Sequence, residues 1–178
     1  MSVCVISFSA RKNGNCSQIS KYVSSLFSDV KQYDFSKLKV KPCGNCNYQC
    51  FHNIKKCPFV KDKEKEMLDA IMESEMTFFI VPNYCDYPCS NYFIFNERSV
   101  CYFQHNEKLL YQYLDVEKKF IVVSNTSKEN FYKAFTYQTT DEPQILFLPT
   151  KQYGKNSIEG NLFESEQAME DLKKFVLE

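Results

Sequence analysis

A chain of 178 residues with a 44% hydrophobic share has enough material for one domain with a sizeable core. Lys plus Arg and Asp plus Glu each number 22, so there is no basic footprint for nucleic acid. No apolar run approaches the roughly 18 residues of a membrane span. Nine cysteines without a basic, apolar leader pattern predict a reducing, cytoplasmic setting, where thiols act as ligands, redox groups or small core residues.

The first predicted element is a strand, from the unbroken apolar run Val3, Cys4, Val5, Ile6, which reads as buried on both faces. A loop at 7–17, rich in Ser, Asn and Gly, separates it from a helix whose apolar face is Ile19, Tyr22, Val23, Leu26 and Phe27. Strand, polar loop and helix start together make an anion site. The helix's first amides lack partners and its dipole favours negative charge. Gly14 permits a tight turn, and Ser9, Arg11, Asn15 and Ser17 can all donate to a phosphate. An ordinary well-capped loop accounts for the same residues, and both readings stand on spacing alone.

Further along, residues 29–34 form a weak strand near a sheet edge, and 35–61 carries four cysteines with no clear period. Asp62 is placed to cap a helix with Met67, Leu68, Ile71 and Met72 on its apolar face. Residues 76–81 make the third strand, stopped by Pro82. A helix is expected from near Ser90, an interruption at 100–106, and a further helix at 108–114. The fourth strand is 120–123, followed by a helix at 128–137. The fifth strand is 145–148, and Ser165 caps the last helix.

Five strands alternating with helices predict an α/β three-layer sandwich with a parallel sheet. The expected order, 2-1-3-4-5, is carried over from known doubly wound sheets rather than read from the alternation. Ligands of such sheets sit beyond the carboxyl ends of strands one and three, where the winding reverses. The loops after Ile6 and Val81 then face one crevice. No Ser–His–Asp, HExxH or Walker pattern is present, so any demanding chemistry has to come from a cofactor.

The pattern S-x-R-x-x-G-N-x-S after the first strand resembles the FMN-phosphate loop of the NAD(P)H-dependent FMN reductase branch of the flavodoxin-like proteins, within it the iron–sulfur flavoproteins. Ser9, Arg11, Gly14, Asn15 and Ser17 match that loop, and Cys16 stands where the family commonly has Thr. Pro82, Asn83 and Tyr84, continuing through Ser90 to Glu97 and Arg98, resemble the family's second flavin loop. Asp86 stands there in place of a usual Gly and Phe93 in place of a usual Lys. By the same resemblance Ser124 and Asn125 face the flavin from a third segment, 124–127, which lacks the family's glycines.

Cys43, Cys46, Cys50 and Cys57 read C-x2-C-x3-C-x6-C. Thiols this close converge on one centre if the chain wraps around it, as metal-binding loops do. The resemblance implies a [4Fe–4S] cluster at this position, although the family's motif is one residue tighter between its second and third cysteines. Zinc, or thiols without metal, fits the spacing too. Cys85 and Cys89 carry a weak C-x3-C spacing, and Cys101 suggests nothing by itself.

The resemblance implies an FMN-dependent oxidoreductase. It would take hydride from NAD(P)H and pass electrons to an unidentified acceptor, working as a homodimer or higher homo-oligomer away from membranes and nucleic acid. Two alternatives remain at this level: an electron-transfer flavoprotein without NAD(P)H activity, and a flavin-free domain whose cysteine loop, an insertion at about 35–61 in a single domain over 1–178, holds zinc.

Overall fold

The computed structural model describes residues 1–44, 47–104, 106–123 and 128–178. Its sheet runs β2-β1-β3-β5-β6, formed by β1 (Ser2–Ser7), β2 (Asp29–Asp34), β3 (Met76–Tyr84), β5 (Glu117–Val123) and β6 (Gln144–Leu148). Every neighbouring pair on this path is parallel. Counting these strands alone, the order is the expected 2-1-3-4-5. A sixth strand, β4 (Tyr87–Pro88), pairs antiparallel with the end of β3.

Alternation along the central strands sorts side chains to two faces. Val3 and Val5 of β1, with Phe78 and Ile80 of β3, meet α1 (Asn15–Ser25) and α6 (Glu166–Leu177) through Ile19, Val23, Leu172 and Val176. Cys4 and Ile6, with Phe79 and Val81, face the opposite layer. It consists of α2 (Glu64–Met72), α3 (Ser90–Phe103), α4 (Glu107–Asp115) and α5 (Glu129–Phe135). That core is aromatic: Phe120 stacks on Phe135 at 4.2 Å, and Phe79 meets Phe120 edge-on at 5.4 Å.

Ser165 caps α6 as predicted, its Oγ accepting from the Ala168 amide at 3.3 Å. The N-cap of α2 is Lys63, one residue after the expected Asp62, whose Oδ1 accepts from the Glu64 amide at 3.1 Å and so tightens the turn that leads into the helix. Three boundaries differ from expectation. Pro82 does not stop β3, which pairs with β5 through Pro82 and runs on to Tyr84. The β1 ladder along β3 ends at Ile80, so no strand there needs the amide that proline lacks. β5 begins at Glu117, ahead of the expected start, because Lys118 and Lys119 are buried; their ammonium groups donate to carbonyls of Val116 and Phe175. α3 continues to Phe103, through the first part of the expected interruption. The cysteine-rich stretch folds into short 3₁₀ turns at Gln49–Phe51 and Ile54–Lys56.

Candidate functional site

The chain leaves β1 at Ser7 and is pinned immediately by Phe8. This ring is fully buried against Phe35, Phe79, Tyr92 and Phe95, with centroids 5.1–5.5 Å away. Its amide donates to Ile80 O at 3.0 Å, and its carbonyl accepts from Asn91 Nδ2 at 2.8 Å and Cys89 Sγ at 3.3 Å. Hydrophobic burial and backbone pairing therefore fix the point at which the polar loop projects beyond the sheet's carboxyl edge.

Within the loop, Ser9 Oγ accepts from the Arg11 amide at 3.1 Å, tightening the turn. Gly14 is the N-cap of α1. It provides no side-chain cap, and no acid occupies the first turn, so the helix's opening amides and positive end remain available to an anion. Asn15 is buried. Its Oδ1 accepts from the Leu162 amide at 3.0 Å, whereas its Nδ2 has no partner among the described residues. A buried donor left unsatisfied costs about 1–3 kcal/mol, so it marks a place where an acceptor belongs.

A cleft of about 130 Å³ opens here, lined on one side by Ser9, Arg11, Gly14, Asn15 and Cys16. Pro82, Asn83 and Tyr84 line the other side, with Val123 also on the wall. The sequence's two candidate loops thus meet at the reversal between β1 and β3. No acidic side chain is among these lining residues. Burial pushes the Cys16 thiol far up, so it is a neutral, poorly nucleophilic group in the wall. Tyr84, half exposed at the rim, is also shifted upward, first by burial.

Ser17 is not part of this lining. It is buried, and its hydroxyl is directed to Asp34 Oδ2 at 3.5 Å. Ser124 and Asn125 lie outside the described residues.

Two features were missed in the sequence. The first is a segment at 154–161 that lies over the polar loop. The Arg11 guanidinium donates to the carbonyls of Ser157 at 3.2 Å and Ile158 at 2.5 Å, and Gln18 donates to Gly160 O at 2.7 Å. Carbonyls orient the guanidinium without neutralising it. Gly160 has φ +72°, and a Cβ there would approach Asn13 O to 3.2 Å. Gly154 and Gly160 are two of only four glycines in the chain, and their bracketing of this segment was the available signal.

The second feature is the hairpin of β3 and β4. Cys85 and Asp86 form its two-residue turn at φ +53° and +67°, a primed geometry that favours Gly or Asn. Asn83 Oδ1 accepts from the Asp86 amide at 2.9 Å, and Asn130 Nδ2 donates to Asp86 O at 3.1 Å, tying the turn to α5.

Arg98, matched by resemblance to the end of the second flavin loop, has another partner. It is buried, pairs with Asp62 at 2.6 and 3.2 Å, and donates to Lys41 O at 2.9 Å and Phe59 O at 3.4 Å. It therefore fastens the cysteine-rich stretch to α3. Of the cysteines in that stretch, Cys50 is buried, Cys43 and Cys57 are partly buried, and Cys46 lies outside the described residues. Among the described residues no group of three or more His, Cys, Asp or Glu side chains is arranged to hold a metal ion. The described thiols therefore do not by themselves fit a cluster or a zinc ion. What the arrangement does supply is Cys101 of α3, whose Sγ lies 3.4 Å from that of Cys50.

No family model matches the chain, and no curated protein matches it. Solved structures match over nearly its whole length. A Trp repressor binding protein from Bacillus subtilis aligns with TM-score 0.64 and 13% identity, over 98% of this chain and 97% of that one. An FMN-dependent NADH-azoreductase from Bacillus anthracis, solved in complex with FMN, aligns with TM-score 0.62 and 10% identity, over 99% and 100%. FerB, an NAD(P)H:acceptor oxidoreductase from Paracoccus denitrificans, aligns with TM-score 0.56 and 12% identity, over 98% and 94%. At such identities the likeness speaks for the fold.

Proposed function

We propose that this chain, whose fold is flavodoxin-like, is an FMN-dependent oxidoreductase that uses a nicotinamide nucleotide as hydride donor. The observation carrying the proposal is the uncapped start of α1 beside the buried Asn15 Nδ2, which has no partner among the described residues, at the reversal of strand order between β1 and β3. These residues fit a phosphate: fixed donors, a positive helix end, and no carboxylate in the described lining. The azoreductase of like fold was solved with FMN, and FerB is named for NAD(P)H and an acceptor. Both names favour a flavin over another phosphorylated ligand.

In this reading Arg11, Asn15 and the amides at Gly14 to Cys16 hold the phosphate, and Ser9 keeps the turn in shape. Ser17 supports the site from behind, through Asp34. Pro82 directs the chain across the crevice, so that the backbone at Asn83 and the ring of Tyr84 border the flavin's ring system. When bound, FMN supplies the capacity to accept hydride from NAD(P)H and to release electrons to an acceptor. The chain's own part is to bind, orient and partly shield; none of the described cleft residues is an acid–base group suited to proton transfer near neutrality. The unidentified acceptor, and assembly as a homodimer or higher homo-oligomer, remain part of this proposal. No metal centre is included, because the described thiols do not converge on one.

Titration of the flavin-free chain with FMN, followed by anaerobic addition of NADPH or NADH, tests the reading. Quenching of FMN fluorescence at stoichiometric protein, then bleaching of the flavin bands by one of the nucleotides, is the expected result. Absence of FMN binding would overturn it. Binding without bleaching by either nucleotide, but with bleaching by a low-potential donor, would leave a flavin-carrying electron-transfer protein.

A further inference from the structure

Cys50 and Cys101 come from elements 51 positions apart in sequence, yet their sulfurs lie 3.4 Å apart and both residues are buried. No disulfide joins the described cysteines. The approach is held by independent contacts. Arg98, one helical turn before Cys101 and on the same face of α3, grips the cysteine-rich stretch through Asp62 and the carbonyls of Lys41 and Phe59. The guanidinium also lies over the Phe59 ring, 5.3 Å from its centroid. Cys43 and Cys57 are near enough to act electrostatically on Cys101, whose thiol is pushed up to about 12, mainly by burial and then by Cys50. A cavity of about 30 Å³, bordered by Cys57 and Cys101, adjoins the pair and has room for a molecule of roughly water's size.

We propose that Cys50 and Cys101 are a reversible dithiol/disulfide pair, oxidised by hydrogen peroxide, that staples the cysteine-rich stretch to α3. One thiol of the pair attacks the peroxide, breaking the O–O bond to give a sulfenic acid and one water. The other thiol attacks that sulfur, forming the S–S bond and releasing a second water. Two electrons pass from the sulfurs to the peroxide oxygens, and both thiol protons leave in the waters. Only a small oxidant reaches the site, because the pair is buried and the adjoining cavity is water-sized. A small-molecule dithiol reverses the step by exchange. The pair does not depend on a flavin at the cleft, so this inference and the oxidoreductase reading stand or fall separately.

The test uses the full-length chain, purified under reductant, exposed to hydrogen peroxide, and alkylated with N-ethylmaleimide. Proteolysis without reduction should then yield a cross-linked pair of peptides, with fragmentation locating the bond between Cys50 and Cys101. Dithiothreitol should abolish it. C50S and C101S should each lose the cross-link, while C43S and C57S retain it. Slower proteolysis within 41–61 after oxidation would register the staple independently of any variant. Three results overturn the proposal: bonds confined to the cysteines of 43–57, both thiols still alkylated after peroxide, or protection of both thiols by a co-purifying thiophilic metal until a chelator is added.

Discussion

Single residues carry the most specific chemistry in this molecule. Glu64 is buried with neither carboxylate oxygen paired among the described residues. Burial pushes its carboxyl from 4.5 to about 9, opposed by Arg98. Because the folded state then holds a proton that the unfolded chain releases above pH 4.5, stability falls as pH rises from there through about 9. Glu64→Gln, neutral and of the same shape, should flatten that slope and stabilise the protein at neutral pH by on the order of 2–3 kcal/mol. Urea melts of both proteins at acid, neutral and alkaline pH would show it. At the cleft, Arg11→Ala should weaken FMN by about tenfold to a hundredfold, the worth of charge-assisted bonds, but leave riboflavin nearly unaffected. Fluorescence titration with the two flavins makes the comparison, and equal losses for both would take Arg11 away from the phosphate.

At the scale of elements, the hairpin and the helix clamp each make a separable contribution. Asp86 holds φ +67° in the β3–β4 turn without being glycine. Asp86→Gly should stabilise the chain by about 0.5–1 kcal/mol, by removing the left-handed penalty of a side chain. Thermal melts of the two proteins suffice to check this. The Asp62–Arg98 pair joins the entry of α2 to the middle of α3, with both side chains nearly enclosed. Removing one partner strands a buried charge, so Asp62→Ala should cost about 3–5 kcal/mol and also loosen the turn into α2. Limited proteolysis should then cut first within 41–61.

For the molecule as a whole, the site is an opening at the seam where two parts of the sheet wind apart. The 154–161 segment closes over the α1 entry and returns through the Leu162–Asn15 bond to the layer of α6. The cleft is bordered by the loop after β1, the start of α1, the end of β3 and that segment, so a ligand seated there would report on much of the fold. FMN at a hundred times its dissociation constant should add about 2.7 kcal/mol to unfolding stability. For a chain of this size that is a rise of about 5–10 °C in the melting temperature. Differential scanning calorimetry with FMN, riboflavin and inorganic phosphate would separate the ring's share from the phosphate's.

The amino-acid sequence alone determined the alternating elements, the layers and the anion-ready loop, while the strand order came by analogy with known sheets. The first three depend on local periodicity and on which residue types can cap, turn or donate, and Val3 to Ile6, Ser165 and Gly14 show it directly. Tertiary structure decided matters that neighbours far along the chain control. It turned Ser17 toward Asp34, gave Arg11 the carbonyls of Ser157 and Ile158, and carried β3 past Pro82 into a hairpin. It also set Cys101 beside Cys50, which no spacing rule could anticipate. Periodicity describes a residue's own element, whereas the partner of a buried polar or sulfur atom is set by whichever chain segment packs against it.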